Sequence, residues 1–540
     1  MKYLLSLMSV VAVVVLPARA EPPLRDFIDQ QVKAVWDHEK LTPAPLASDA
    51  EFMRRAYLDI IGIIPSYEEA KAFLDDKDAN KRAKLIDKLL EHPRYAVHQA
   101  DVWDLVLFTR NPPGYETHNR PSFQRWLEEQ FAKNVAYDKW VGDILKAEGS
   151  TVENGPPWFL AQYDRKPEDA AEKITQTFLG VQLQCARCHD HPFEEWKQVD
   201  FYGMAAFLAR TQVVQMGKKD NELKAMIGER NTGEVLFTGP ASQQTPGKKG
   251  EPIKPKFLQG KPLEEPPLPK NVKDERNLPS GKAPPKPFFS RKDKLAEWVT
   301  AKDNPYFARA VANRIWGQYM GRGLVHPVDN MSPNNPSSHP KLLEACAKEM
   351  AAHNYDLKWY IRELCNSKTY QLASTGSVED EKPRWFERGR VRPLSAEELV
   401  ESWRVATGYD IVANKPGGKN QPKGRFHGLT WDYMVRFFGK PANGTGDFQG
   451  GLGEHLFLNN GQVYQLIATD KGSLYDTFLT DKAPLEERVD RLYLSMLSRP
   501  ATAAEKKKFA AYIGANDEAK DRLKEAIWVL MTCSEFRFNH

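Results

Sequence analysis

Apolar residues recur at helical spacing over most of the chain. In FMRRAYLDIIGIIPSYEEAKAFL (52–74) they mark one amphipathic helix, a break at Pro65-Ser66, and a second helix with acids in its first turn. Residues 48–92 read as helices throughout. AEKITQTFLGVQLQC (171–185) places Ile174, Phe178, Val181 and Cys185 at steps of four, three and four, the stripe of another helix. The helical pattern resumes in RKDKLAEWVTAKDNPYFARAVANRIWGQYM (291–320) and HPKLLEACAKEMAAHNYDLKWYIRELCNS (339–367).

Between these blocks the periodicity fails. Residues 239–290 hold 12 of the chain's 38 prolines, which excludes long helices there. GEVLFTG and IKPKFLQG in and beside this stretch have the composition of short strands. Residues 411–455 are rich in Gly, Lys and Asn. NGTGDFQGGLGEH within them lacks a preceding strand and a Gly-Lys-Ser/Thr ending, so it reads as loop and not as a phosphate cradle. The fold class expected is mainly α: two helical domains joined by a proline-rich linker with a small β element. The boundaries are 1–20 for a leader, 21–210 for the first domain, 211–290 for the proline- and lysine-rich linker, and 291–540 for the second domain.

RAYLDIIGIIPSYEE (55–69) is echoed by RLYLSMLSRPATAAE (491–505). Each predicts a helix, a proline turn and the start of a second helix. Two copies do not make a repeat array; they predict one helical hairpin used twice.

The first 20 residues predict a secretory signal peptide. Lys2 is the basic start, Leu4–Leu16 an apolar run too short to span a bilayer, and Ala18-Arg19-Ala20 a small-x-small cleavage signal. No later run is apolar enough to cross a membrane, so a periplasmic or otherwise exported location is expected. Without Lys2 and Arg19 the balance is 74 basic against 72 acidic residues. That near-neutrality excludes a nucleic-acid binder, which would concentrate basic charge.

QLQCARCHDHPFEEW (182–196) carries the candidate chemistry. On a helix Cys185 and Cys188 are i and i+3, and His189 is i+4 from Cys185, so all three share a side. Cys-x-x-Cys-His is the attachment pattern of c-type haem: two thiols grip the porphyrin while the imidazole reaches the iron. Haem c is the leading cofactor, with His189 the axial iron ligand. Zinc on Cys185, Cys188, His189 and His191 is an alternative, although adjacent Cys188 and His189 share one tetrahedral ion with difficulty. A redox dithiol and a plain disulfide are the others. Met204, His98 and His339 are candidate sixth ligands, with His326 a further histidine. Asp190 and His191 are placed for supporting hydrogen bonds.

Cys346 and Cys365 stand at similar distances on either side of Asn354-Tyr355, which in an antiparallel helical hairpin would set them side by side as a disulfide. Buried free thiols are the alternative. In NNPSSHP (334–340) Ser338 reads as a helix cap before His339 and Pro340. The tryptophans read as core, with Trp158, after Asn-Gly-Pro-Pro, also placed to line a cleft.

The sequence resembles the planctomycete cytochrome-c-like domain family joined to its C-terminal partner domain of unknown function. RRAYLDIIGIIPSYEE, YDKWVGDILKAEG and FLGVQLQCARCHDHPFEEWKQVDFYGMAAF carry the first part. NPYFARAVANRIWGQYMGRGLVHPVDNMSPNNPSSHPKLLE, IRELCNSKTYQLAS, RPLSAEELVESW and the terminal SEFRFNH carry the second. The resemblance implies haem attachment at Cys185, Cys188 and His189, and leaves Asp190 and His191 without a role. It carries over no enzymatic activity. The expected function is an exported electron-transfer protein or redox subunit working between a periplasmic donor and acceptor, with a link to carbohydrate oxidation. The alternatives are a non-haem metal-binding or scaffold protein, and a polysaccharide hydrolase with a metal at the same motif.

Overall fold

A computed structural model describes residues 22–109, 120–237, 250–274, 285–375, 383–408, 456, 458, 463–464, 467–514 and 518–540. The leader and the glycine-rich stretch NGTGDFQGGLGEH lie outside these residues. The described chain is mainly α-helical, with sheets of only two or three strands, as the periodicity predicts. Among the described residues no helix is long and apolar enough to cross a membrane.

The apolar stripes pack into two cores. The larger runs from Leu24 in the first helix, Leu24–Glu39, to Phe386, and takes in Trp103, Trp140, Trp158 and Trp316. Removing each such large side chain from water contributes roughly 1.5–3 kcal/mol. This core crosses the expected domain boundary: Leu24–Glu39 packs on the helices Pro340–Ala352 and Leu357–Asn366, and Arg25 pairs with Glu363 at 2.6 Å. The smaller core gathers residues 394–536 and draws Leu58 and Ile64 into it from the first part of the chain.

The stretch expected to link the two halves is itself packed. Strands Thr211–Lys219 and Glu222–Glu229 form an antiparallel hairpin, and Gly149–Ser150 adds to the outer edge of Glu222–Glu229. Leu223, Ala225 and Ile227 are buried on it. Val235–Leu236 pairs with Pro252–Ile253, which is the small β element that GEVLFTG and IKPKFLQG predict. Arg291 then forks onto Glu265 with two 2.7 Å bonds, while the Glu229 carboxylate accepts from Ser290 Oγ at 2.5 Å and Arg291 N at 2.7 Å.

Both echoed segments fold as predicted. Helix Asp49–Ile61 ends at Gly62 (φ 71°), and Ser66 with Glu69 closes a capping box on Tyr67–Asp75. Helix Leu485–Leu497 ends at Ser498 (φ 59°), and Thr502 with Glu505 does the same for Ala503–Ile513. The hairpins pack on each other, and Arg54, 1% exposed, reaches from the first to Met496 O (3.3 Å) and Phe536 O (3.0 Å).

Three local expectations are overturned. Cys346 and Cys365 are free, buried thiols and form no disulfide. Their two helices both pack on Leu24–Glu39 and on Phe307–Met320. Each thiol meets a different phenol, Cys346 that of Tyr360 and Cys365 that of Tyr370, and burial pushes Cys346 up to about 12. Trp158 lines no cleft; it is fully buried and its indole N–H donates to Glu222 Oε1 at 2.8 Å. The cap of Pro340–Ala352 falls on His339, one residue later than Ser338, with Pro340 in the first helical position.

Candidate functional site: the Cys-x-x-Cys-His turn

The helix Pro167–Ile174 loosens into a π-helical turn, Thr175–Leu179, and Gly180 ends it in the left-handed conformation (φ 68°). A methyl group on Gly180 would stand 3.2 Å from Met331 Sδ, so the close approach also calls for glycine. The chain therefore turns before it reaches the motif. Ile174, Phe178 and Val181 are buried as the stripe predicts, but Cys185 is not, because the helix has stopped.

Gln184–Arg187 forms a single 3₁₀ turn. Cys188 N and His189 N both donate to Cys185 O at 3.4 Å, which folds Cys-x-x-Cys-His over one turn. Ala186 is buried beneath it, and both thiols are free and exposed. His189 uses Nδ1 toward Asp190 O at 2.7 Å, which leaves Nε2 as the nitrogen for a ligand. Tyr202, on the helix Gln198–Ala206 that packs under the turn, donates its hydroxyl to Arg187 O at 3.1 Å. Arg187 pairs with Asp169 at 2.8 Å.

The next residues close a loop. His191 N donates to Trp196 O at 2.7 Å, Phe193 N to His191 Nδ1 at 3.3 Å, and Gln198 N to Asp190 Oδ1 at 3.0 Å. Asp190 and His191 thus fix the loop 190–198 by accepting backbone N–H groups. Phe193 in this loop is 78% exposed, an apolar side chain held out to solvent.

Residues 326–335 buttress the turn from the C-terminal half. Met331 N donates to Gly180 O at 2.8 Å, Gln182 Nε2 to Asp329 Oδ1 at 3.3 Å, and Asn334 Nδ2 to Phe193 O. Below lies a charged group that the periodicity concealed. Arg314 is 7% exposed and donates to Thr177 O at 3.4 Å. Burial lowers Lys173 to about 8, with the Arg314 charge adding to the shift and Asp329 opposing it. In sequence Lys173 is one polar residue of an amphipathic helix, so nothing distinguished it.

Of the other proposed ligands, Met204, His98 and His339 are buried. Met204 is wholly buried in the main core, whereas the thiols open to solvent. His98 is 7% exposed and lies 4.0 Å from Glu398, and burial lowers it to about 4. His339 is 3% exposed against Trp385 and Phe386, with Nδ1 at 2.9 Å from Ser338 Oγ, and burial likewise lowers it to about 4. His326 lies in the buttressing segment, its carbonyl accepting from Asn335 Nδ2 at 3.2 Å. Among the described residues no three His, Cys, Asp or Glu side chains come together as a metal cage. For covalent haem the donor set does fit: two accessible thiols in one turn, and an imidazole whose second nitrogen is anchored to a carbonyl.

Fold and site together describe a mainly helical protein that displays a Cys-x-x-Cys-His turn where its two halves meet. Residues 27–213 match the family PSCyt2, described as a protein of unknown function (DUF1549), and residues 291–427 match PSD1, described as a protein of unknown function (DUF1553). The two matches reproduce the two-part arrangement read from the sequence. No curated protein and no solved structure matches the chain.

Proposed function

We propose that the protein is an exported c-type haem protein that passes electrons between a periplasmic donor and acceptor. The observation that carries this reading is the exposed turn: Cys185 and Cys188 free at the surface, and His189 anchored through Nδ1. Cys185 and Cys188 would hold the porphyrin through thioether bonds, and His189 Nε2 would ligate its iron. Bound there, haem supplies a one-electron iron couple. Phe193 is an exposed apolar side chain of the same loop, and Asp190 and His191 hold that loop by accepting backbone N–H groups. The name PSCyt2 agrees with a cytochrome-like part.

The test is expression of the full chain, with its N-terminal segment, in a host that matures c-type cytochromes. A reduced-minus-oxidised spectrum and a haem stain on a denaturing gel are recorded beside the Cys185→Ala/Cys188→Ala variant. A covalent haem band present in the parent and absent from the variant is the expected result. A colourless parent, from cells that load a control cytochrome, removes haem from the reading.

A further inference from the structure

A second polar site lies away from the cysteine turn. It is a cleft of about 400 Å³, including its open mouth, whose walls come from five places in the sequence. Arg55 and Asp59 come from helix Asp49–Ile61, and Gln318 to Gly321 from the end of Phe307–Met320. Thr369 and Tyr370, residues 386–392, and Asn539 complete it. RRAYLD, SKTY, RPLS and FNH, all within stretches that stood out in the sequence, meet here, and none of them belongs to the Cys185–His189 turn.

The wall holds four guanidiniums, those of Arg55, Arg388, Arg390 and Arg392, and one carboxylate, that of Asp59. Asp59 is fully engaged. Its Oδ1 accepts from Arg392 Nη2 at 2.9 Å and Asn539 Nδ2 at 2.7 Å, and its Oδ2 from Tyr370 OH at 2.9 Å. It has little left to offer a cationic ligand. Arg55, 4% exposed, gives Nη1 to Tyr370 O at 2.7 Å and Leu372 O at 2.8 Å, and Nη2 to Glu51 at 2.8 Å. Its Nε is buried without a partner, and so is Gln318 Nε2. Two buried N–H donors left unmet would each cost roughly 1–3 kcal/mol, unless something in the cleft accepts them.

The backbone is shaped for close approach. A Cβ on Gly389 would fall 2.5 Å from Arg55 Nη2, and one on Gly321 (φ 74°) would fall 2.7 Å from Arg390 Cβ. Any side chain at either position would push a guanidinium out of the wall.

We propose that this cleft binds a small oxyanion, with Arg55 Nε and Gln318 Nε2 as donors and the guanidiniums of Arg388 and Arg390, which share the Glu387 carboxylate (3.5 Å and 2.8 Å), beside them. The group is a sulfate, phosphate or carboxylate, either as a free ion or carried on a sugar. Guanidinium–oxyanion bonds are charge-assisted and among the stronger hydrogen bonds available to a protein. The inference does not depend on haem attachment, because no residue of the cleft belongs to the cysteine turn.

Isothermal titration of the full chain with sodium sulfate, sodium phosphate and sodium glucuronate, each at ionic strength matched with sodium chloride, tests it. One saturable site is expected, weakened about tenfold in Arg390→Gln and in Gln318→Leu, with unchanged far-ultraviolet circular dichroism in both variants. Tighter glucuronate binding identifies a sugar-borne carboxylate as the ligand. Tighter sulfate or phosphate binding identifies the inorganic group. Heat no different from the chloride control with all three salts overturns the proposal, as does saturable binding that both folded variants retain.

Discussion

The cysteine turn and the arginine cleft are built in opposite ways. The turn gathers its chemistry from five consecutive residues and leaves it at the surface, tied down by backbone N–H groups and by one loop of the C-terminal half. The cleft gathers its chemistry from distant residues, Asp59 and Asn539 being 480 positions apart, and buries it. A covalent cofactor suits the first design, since the bond itself holds the ligand and the protein need only present it. A reversibly held ion suits the second, since binding there depends on donors prepositioned out of water. The turn should therefore tolerate mutation with its stability intact, and the buried Asp59 network that backs the cleft should not.

The largest effect expected is all-or-none and tests the turn. Cys185→Ala/Cys188→Ala removes the haem band, yet its urea midpoint stays close to that of the unloaded parent, because neither thiol is buried. A variant that unfolds would erase the contrast.

Next comes the cleft. Asp59→Ala strips three donors, on Arg392, Tyr370 and Asn539, of their shared acceptor and leaves Arg392 with the Glu398 carboxylate and the Pro393 carbonyl. A loss of about 3–5 kcal/mol is expected from chemical denaturation, the usual cost of breaking a buried pair on one side. A loss below about 1 kcal/mol, the scale of an exposed pair, would put this network in the same class as the surface turn.

A smaller effect depends on pH. His98 lies beside the cleft network, and burial depresses it from 6.5 to about 4. A depressed histidine is neutral in the folded chain at pH values where the unfolded chain has already taken up the proton. Its contribution is therefore present above about pH 6.5 and lost as pH falls toward 4. Unfolding free energy should drop by about 2 kcal/mol between about pH 7 and about pH 5 on account of His98 alone, and His98→Gln should flatten that slope. His339 adds to it in the same direction.

The smallest effect is an expected constancy. Cys346, Cys365 and Cys533 are free, so a reducing agent should leave the midpoint unchanged. Alkylation after unfolding without reductant should label these three in haem-loaded protein, and Cys185 and Cys188 as well in the double-thiol unloaded form. Mass spectrometry reads both.

What could be read from the sequence follows the same division. The turn was legible because its five residues are contiguous, and the echoed hairpins because Ser66/Glu69 and Thr502/Glu505 signal their caps locally. The paired strands at 235–236 and 252–253 were legible from composition. The supposed helix through Cys185 failed at Gly180, where contact with Met331 from the other half favours a left-handed residue over a continued helix. The Cys346–Cys365 bridge failed because a phenol stands against each thiol, Tyr360 at Cys346 and Tyr370 at Cys365. The cleft was invisible, since Asp59 reads as one acid on a helix until Arg392 and Asn539 arrive beside it.

Arg54 carries this long reach into the history of each molecule. Its guanidinium is enclosed by carbonyls of residues 496 and 536, near the end of a 540-residue chain. While the ribosome is still making the C-terminal half, the helix around Arg54 has no acceptors for that charge and cannot settle into its final place. A chain made from its N-terminus therefore closes the helix around Arg54 only after residues 496–536 have been added.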